Sequence, residues 1–171
     1  MKTTLNWGDD IIDSRDIISR HSELQDEYDS LVEAWEEATK DFDDYLAEAD
    51  NHLTENDVHF EKLCTDFREV ISDAKIDLDL FDKEELDLLS EVISVGEQSP
   101  DWSYGENLIL DSHFQDYTEE LINDCWEMPK EFDSNSWPWK HMKIDFEEAA
   151  DELKSDYISI NVQNEEYWIR A

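Results

Sequence analysis

Residues 13–50, DSRDIISRHSELQDEYDSLVEAWEEATKDFDDYLAEAD, decide the fold because one side-chain pattern runs through almost all of them. Moving forward from Ile17 in alternating steps of four and three residues, nearly every position is apolar or aromatic. This spacing predicts one long amphipathic helix of coiled-coil period, which begins near Asp13 or Ser14 because either side chain can cap a helix. The seam of the helix consists of Ile17, His21, Leu24, Tyr28, Leu31, Trp35, Ala38, Phe42, Tyr45 and Ala49.

Two kinds of partner are open for this seam. A second copy of the helix would produce a homodimer, as in a coiled coil. The bulky side chains of Trp35, Phe42 and Tyr45 would equally suit packing onto later helices of the same chain.

Downstream residues predict two further helices. Thr54 and Asp57 resemble a capping box at the start of the second helix. Asp82 and Glu85 have the same spacing at the start of the third, and Gly96 is a natural end for it. The inward stripe of the second helix would be Phe60, Leu63, Cys64, Phe67, Val70, Ile71 and Ala74.

The stretch after Gly96 predicts a division of the chain. Residues 96–105, GEQSPDWSYG, are rich in turn formers and predict a linker. They would separate a helical, coiled-coil-like region, residues 1–95, from a compact region, residues 106–171.

The compact region has mixed periodicity. A helix is expected from Glu106 to Trp126, with Cys125 on its inward face, and a shorter one from Asp145, which forms another capping box with Glu148. Residues 158–162 then alternate apolar and polar side chains, and a second short strand follows a turn. The predicted fold is therefore mostly α, with a small C-terminal α+β unit that ends in a β-hairpin.

The charge of the chain is far outside the usual range. Its 171 residues include 48 Asp and Glu against 13 Lys and Arg, a net charge of -35, whereas a small soluble domain is comfortable with a magnitude of roughly 2 to 8. Residues 1–50, 51–95 and 96–171 carry net charges of -12, -9 and -14, so no single tail explains the excess. Hydrophobic residues make up 39% of the chain, which favours a folded protein over an acidic disordered one.

This charge excludes some partners and favours others. A uniformly negative surface repels nucleic acid and anionic lipid, and it attracts basic protein surfaces quickly and with strong salt dependence. The start of the chain lacks the apolar run of a signal peptide, and no stretch approaches the ~18 apolar residues of a membrane span. Two cysteines are too few for a disulfide framework, so we expect free thiols and a cytoplasmic protein.

Patterns for catalysis or metal binding are missing from the sequence. The best calcium-loop candidate starts at Asp77, but Phe81 and Asp82 occupy positions that need an oxygen ligand and a glycine. Neither a zinc motif nor a nucleophile elbow nor a phosphate-binding glycine loop is found, and Cys64 and Cys125 are predicted to point inward. We therefore expect no metal, no cofactor and no enzymatic activity.

Two segments of the back half carry a family resemblance. SHFQDYTEELINDC, residues 112–125, and WPWKHMKIDFEEAADELKSDYISINVQNEEYWIRA, residues 137–171, resemble the C-terminal part of phage and plasmid antirestriction proteins of the ArdA type. That family has a YxxELAxD helix, an IDxEAxAxxLxxDY helix and a final hairpin, matched here by Tyr117–Asp124, Ile144–Tyr157 and Tyr167–Arg170. The resemblance implies an elongated, commonly dimeric DNA mimic that blocks the DNA groove of type I restriction enzymes. Residues 10–27 are similar to the coiled-coil start of small phage-encoded proteins.

The sequence thus favours an acidic decoy that occupies the basic nucleic-acid-binding surface of a restriction or CRISPR-type defence complex. The charge density of a single helix is too low to imitate duplex DNA. Residues 13–50 carry about one net charge per 5 Å of helix axis, whereas duplex DNA carries one per ~1.7 Å. Two or three such helices packed side by side would approach the charge density of duplex DNA. The carboxylates expected to replace phosphates are Asp26, Glu33, Glu36, Glu37, Asp41, Asp44, Glu48, Glu119, Glu120, Asp124, Glu147, Glu148, Asp151, Glu152 and Asp156.

Three alternatives accompany this hypothesis. The first is a scaffold protein that dimerises through the Ile17–Ala49 seam and uses its acidity for solubility. The second is an acidic enzyme, which would need a cleft of perturbed carboxylates. The third is adaptation to high salt, against which the many large apolar residues argue.

Overall fold

A computed structural model of the chain describes residues 5–49, 58–127, 137 and 139–171. They form two compact units. We call Met1–Arg20 with Leu88–Ala171 the sheet unit, and His21–Asp87 the helical unit. The boundaries of these units differ from those of the predicted regions, residues 1–95 and 106–171. The N-terminal residues belong to the same unit as the C-terminal ones.

The longest element is helix α1, Ser14–Ala49, which confirms the long N-terminal helix. The Asp13 carboxylate accepts a hydrogen bond from the Arg15 amide, as an N-cap does. Along the seam, Ile17 and Leu24 are buried, and the other positions through Tyr45 are partly buried. The coiled-coil spacing therefore identified the apolar face of the helix correctly.

Aromatic rings of α1 pack on two further segments of the helical unit, α2, Val58–Asp79, and the turn that follows it. Phe42 and Phe67 lie 5.7 Å apart between ring centroids, and Tyr45 stacks on Phe60 at 5.8 Å. Tyr28 meets Phe81 at 5.3 Å. Because early residues of α1 meet late residues of this segment, the two helices run antiparallel. The seam thus packs against the chain's own later helix, one of the two partners that the sequence left open.

The stripe predicted for α2 is largely confirmed. Cys64 is buried, and Phe60, Leu63, Phe67, Ile71 and Ala74 are partly buried. Val70 is the exception, with 57% of its surface exposed. The predicted capping box at Thr54 and Asp57 lies outside the described residues.

Helix α3, Lys83–Gly96, begins and ends where predicted. Its start is capped by Asp82, whose side chain accepts the Glu85 amide at 3.1 Å. Its end lies against Trp102, because a Cβ atom placed on Gly96 would come within 2.5 Å of the indole ring. Glycine is therefore required here by space rather than by backbone conformation.

Four strands form one antiparallel sheet: β1, Ile11–Asp13; β2, Asn107–Leu110; β3, Tyr157–Val162; and β4, Glu165–Arg170. Their order is β1-β2-β4-β3. The predicted C-terminal hairpin is β3 and β4, joined by Gln163 and Asn164. Both turn residues have positive φ, at 52° and 71°, as a two-residue hairpin turn of type I′ requires. The predicted fold class is thus confirmed, although the sheet also takes in a strand that precedes α1.

The helix predicted from Glu106 is wrong at its start. Residues 107–110 are the central strand β2, and helix α5 covers Phe114–Cys125 only. Leu108, Ile109 and Leu110 are all buried, since both faces of a central strand are covered. Such a run has no alternation to distinguish it from a buried helical segment.

The predicted linker contains ordered structure. Residues Trp102–Gly105 form the single helical turn α4, and Trp102 is only 4% exposed. Ser14 is fully buried beside it, and its hydroxyl donates to the Trp102 carbonyl at 2.6 Å and accepts the Glu106 amide at 2.8 Å. This segment therefore helps to hold the sheet unit together.

Helix α5 and helix α6, Phe146–Leu153, cover one face of the sheet through a small apolar cluster. Ile109, Phe114 and Ala150 form its centre, with Leu153 and Trp168 packed around them. The capping box predicted for α6 is confirmed on one side, since Asp145 accepts the Glu148 amide at 3.1 Å.

One residue of α5 does not follow its predicted orientation. Cys125 is exposed, whereas an inward position was expected. It is the last residue of α5, where the helix no longer lies over the cluster.

Candidate carboxylate surfaces

The outer side of α1 carries a row of carboxylates that we call the α1 stripe: Asp26, Glu33, Glu37, Asp41, Asp44 and Glu48. Its members follow one another at steps of seven, four, four, three and four residues, so they share one helix face. At 100° per residue this face lies opposite the seam. All six are exposed, and so is Glu36 beside them. Lys40 is an exposed base on the same side of the helix.

None of these seven predicted carboxylates has an ion pair or hydrogen bond with any residue that the structure describes. The stripe extends over about 33 Å of helix axis, which is one charge per ~6 Å. A single DNA strand has one phosphate per ~3.4 Å. The α1 stripe alone therefore has about half the charge density of one strand. Helix α2 adds six exposed acids and three exposed bases, Lys62, Arg68 and Lys75. Its acids are Glu61, Asp66, Glu69, Asp73, Asp77 and Asp79.

Three cations of the helical unit lie over aromatic rings of α1. Lys83 is 5.7 Å from the ring centroid of Tyr28, and Lys75 is 5.4 Å from that of Trp35. Arg68 is 5.9 Å from the ring of Phe42. A cation over a ring face is attracted by the negative side of the ring quadrupole. These three bases therefore lie on the seam side of α1, away from the stripe, and Lys40 is the base of α1 on the stripe side.

A second acidic surface lies on α5 and α6. Its predicted members are all exposed, and neither helix contains a Lys or Arg. Exposed Lys140 and Lys143 precede α6, so this surface has bases at one margin. Its members are Glu119, Glu120, Asp124, Glu147, Glu148, Asp151, Glu152 and Asp156.

The sheet unit also uses two of its cations internally. Lys154 lies 2.6 Å from the Asp111 carboxylate, and its Nζ is over the rings of Phe114 and Trp168 at 5.3 and 4.9 Å. The hydrogen bond from Lys154, followed by that from Trp168 Nε1 at 2.7 Å, holds the pKa of Asp111 below its usual value. Arg15 pairs with Asp13 and lowers the pKa of that carboxyl in the same way.

A partly buried pair of phenols, Tyr117 and Tyr157, lies beside Lys154 and Asp111 in the sheet unit. Tyr117 and Tyr157 bring their hydroxyl oxygens within 3.2 Å of each other. Burial, and then the bond to Tyr117, raise the pKa of Tyr157 above its usual value. Both rings contact Phe114, so these phenols are part of the packing between α5 and the sheet.

Other kinds of site have little support. Within the described residues, no three His, Cys, Asp or Glu side chains are placed to hold a metal ion. Two grooves at the first turn of α6 have volumes of about 390 and 300 Å³, and both are open to solvent. The second is lined only by Asp145, Glu147, Glu148 and Asp151. None of the described helices has the length and apolarity needed to cross a membrane.

No protein-family model, curated protein or solved structure matches this chain. The similarity of residues 112–125 and 137–171 to antirestriction proteins therefore stays a prediction.

Sequence patterns located the exposed carboxylates but not the positions of the cations. Exposure follows from helix periodicity, so each predicted acid could be assigned to an outer face from the sequence. The positions of Arg68, Lys75 and Lys83 depend on how α2 and the turn after it pair with α1. The sequence did offer one indication, because residues 21–87 contain only two bases besides these three.

Proposed function

We propose that this protein inhibits a nucleic-acid-binding protein by presenting carboxylates where phosphates would bind. The observation that carries the proposal is that all fifteen predicted carboxylates are exposed, and that the seven on α1 have no partner among the described residues. A helix serving only solubility would gain stability from Glu–Lys pairs one turn apart. The α1 stripe instead gathers six acids around a single base, Lys40.

The helical unit is the more favourable binding surface of the two. It has 24 acidic residues and five bases in 67 residues, a net charge of -19. Two antiparallel acidic helices raise the charge density above that of α1 alone, toward that of a nucleic acid strand. We expect α1 to make the main contacts and the α5–α6 surface to make secondary ones.

The target would be a defence complex with a basic groove, of the restriction–modification or CRISPR type, in the cytoplasm of a host cell. The protein would act there by occupancy, without catalysis or cofactor, and without binding nucleic acid or membrane itself. Association would be fast and would weaken steeply with salt, because it exchanges the counterions of a basic groove for fixed carboxylates.

A competition experiment tests the proposal. A type I restriction enzyme and a CRISPR effector complex are each loaded with fluorescent DNA, and displacement by the protein is measured at about 50 and 200 mM salt. We expect displacement at low salt and a loss of at least about tenfold in potency at the higher salt. If the protein displaces DNA from neither complex at low salt, the proposal loses its support for these targets.

Two matched variants locate the surface. In the first, the six acids of the α1 stripe are replaced by Asn or Gln. In the second, six acids of α5 and α6 are replaced in the same way, so both variants lose equal charge. We expect the first to lose at least about tenfold more inhibition than the second, since short-range pairing exceeds the effect of net charge alone. Equal losses would show that net charge, and not the α1 stripe, drives binding. The replaced acids are Glu119, Glu120, Asp124, Glu147, Asp151 and Glu152 in the second variant.

A further inference from the structure

Among the residues that the structure describes, the outer strand β3 is paired along one edge only. It is the last strand in the order β1-β2-β4-β3, so it pairs with β4 on one side only. The two-residue turn makes Val162 and Glu165 a hydrogen-bonded pair, and the bonded pairs alternate along the ladder from there. Residues Tyr157, Ser159 and Asn161 therefore direct their backbone groups away from β4.

Most of these backbone groups have no partner among the described residues. The Tyr157 amide donates to the Lys154 carbonyl at the end of the preceding turn. The amides and carbonyls of Ser159 and Asn161 make no hydrogen bond to a described residue outside the sheet, and their side chains are exposed. A row of unpaired donors and acceptors of this kind is a template for another strand.

The two edges of the sheet are protected to different degrees. Strand β1 is three residues long, contains Asp13 and follows Asp9 and Asp10, so it is short and charged. Strand β3 is six residues long and reads YISINV, with no charged residue and no proline. Short length and charge are the usual protections of an edge strand. Of the two edge strands, the longer one is therefore the one without charge, in a chain in which 36% of residues are charged.

We propose that β3 pairs antiparallel with β3 of a second copy, so that the two four-stranded sheets become one continuous sheet. A two-fold axis at Ser159 places Ser159 opposite Ser159, Tyr157 opposite Asn161 and Ile158 opposite Ile160, all of them uncharged. About four inter-chain hydrogen bonds would then satisfy the outward groups at the centre of the edge. Ile158, which is partly buried, would gain an apolar neighbour across the axis.

The charge of the chain is compatible with this contact at physiological salt. The carboxylates nearest to the edge strand in sequence are Asp156 at its start and Glu165 beyond the turn. The two Asp156 residues of the dimer would lie about 20 Å apart along the strands, and each would lie about 10 Å, two strand spacings, from Glu165 of the other copy. Both distances exceed the Debye length of ~8 Å at 0.15 M salt. Their repulsion is therefore largely screened, whereas at very low salt the two net charges of -35 oppose association.

This interface is separate from the proposed binding of a basic target. It uses backbone groups of the sheet unit, whereas target binding uses carboxylates. The two also have opposite salt dependence, since salt weakens the attraction to a basic surface and reduces the repulsion between two copies. An experiment can therefore show that dimerisation through β3 fails without deciding whether the protein binds a basic target, and the reverse also holds.

Sedimentation equilibrium of the full chain at about 0.02, 0.15 and 0.5 M salt tests the proposal. We expect a monomer–dimer equilibrium whose dimer strengthens as salt increases. Ser159→Pro should weaken the dimer at least tenfold, because it removes an outward amide while leaving the ladder to β4 intact. Ser159→Thr is the matched control, since it keeps the amide and should dimerise like the wild type.

Three results would overturn the proposal of a β3–β3 dimer. A wild-type chain that stays monomeric at micromolar concentration and 0.5 M salt overturns the proposal, with no variant needed. A dimer that Ser159→Pro leaves unchanged, while its far-UV circular dichroism matches the wild type, overturns the proposal as well, because the two copies then associate through another surface. If Ser159→Pro does not fold, hydrogen exchange of the wild type decides: protection of the Ser159 and Asn161 amides must rise with protein concentration, or the proposal fails.

Discussion

The sheet unit buries far more of its apolar side chains than the helical unit, in which most of the described apolar side chains are only partly buried. Fourteen of the buried apolar residues among those described belong to the sheet unit, and three, Leu24, Cys64 and Leu86, belong to the helical unit. Each unit has 24 acidic residues, but the helical unit distributes them over 67 residues and the sheet unit over 104. The helical unit therefore combines the smaller core with the denser charge.

This difference indicates that the two units contribute differently to stability and to surface charge. Burial of apolar surface is the main favourable term in folding, and unbalanced charge opposes it. The sheet unit can supply stability, with a packed sheet and a ring cluster around Phe114. In the helical unit, rings that are only partly buried and cations that lie over them hold α1 against α2. A surface rich in uncompensated carboxylates is costly to fold, and here it is concentrated in one unit.

The largest expected effect comes from truncating one ring in each unit. Phe114 is fully buried and contacts the rings of Tyr117, Tyr157 and Trp168, so Phe114→Ala should cost about 3–5 kcal/mol. Phe67 is partly buried, so Phe67→Ala should cost about 1–2 kcal/mol. Urea unfolding followed by circular dichroism measures both, and hydrogen exchange assigns each loss to its unit. A Phe67→Ala cost equal to that of Phe114→Ala would contradict the contrast between the two cores.

A smaller effect is expected from the lysines that lie over rings. Lys154 is mostly buried and also bonds to Asp111, so Lys154→Gln should lower the free energy of unfolding by about 1–2 kcal/mol. Lys75 has half of its side chain exposed, so Lys75→Gln should cost about 0.5–1 kcal/mol. Thermal unfolding at low and high salt measures both losses. The reverse order would mean that charge neutralisation in the helical unit matters more than burial in the sheet unit.

Local signals predicted most of the fold. Helix α3 and helix α6 have capping residues at fixed spacing, and the final hairpin has strict alternation followed by two turn residues. Strand β2 was missed because Leu108, Ile109 and Leu110 are buried together, and because Leu110 also fits a helical stripe with Phe114. Strand β1 was missed because three residues are too few to establish a period.

The candidate surfaces were predictable only in part, for a similar reason. A carboxylate on the outer face of an amphipathic helix is exposed whatever the helix packs against, so the exposure of Asp26 or Glu152 follows from local spacing. The place of Lys75 over Trp35 depends on two helices meeting 40 residues apart in sequence. The identity of any binding partner depends on a complementary surface in another molecule, which this sequence does not encode.

The smallest expected effect is the pH-dependent contribution of Asp111 to the stability of the sheet unit. Lys154 and Trp168 hold the pKa of Asp111 below its usual value of 3.8, so the ionised form stabilises the folded state. That contribution is complete well above pH 3.8 and is lost as pH falls through the lower pKa of the folded protein. Asp111→Asn removes the charge but keeps an acceptor for Trp168. It should cost less than about 1 kcal/mol at neutral pH, because 43% of the Asp111 side chain is in solvent and water screens the pair.

The pH dependence isolates this contribution from the many other carboxylates. The difference in free energy of unfolding between the wild type and Asp111→Asn should be constant from pH 7 to 5 and shrink toward zero below pH 3.8. Asp79→Asn is the matched control in the helical unit, since Asp79 pairs with Lys75 at 2.9 Å on an exposed helix surface, and it should cost only a few tenths of a kcal/mol. A larger loss from Asp79→Asn than from Asp111→Asn would place the stronger electrostatic contact in the helical unit. In that case cations would contribute more to holding α1 and α2 together than their exposure indicates.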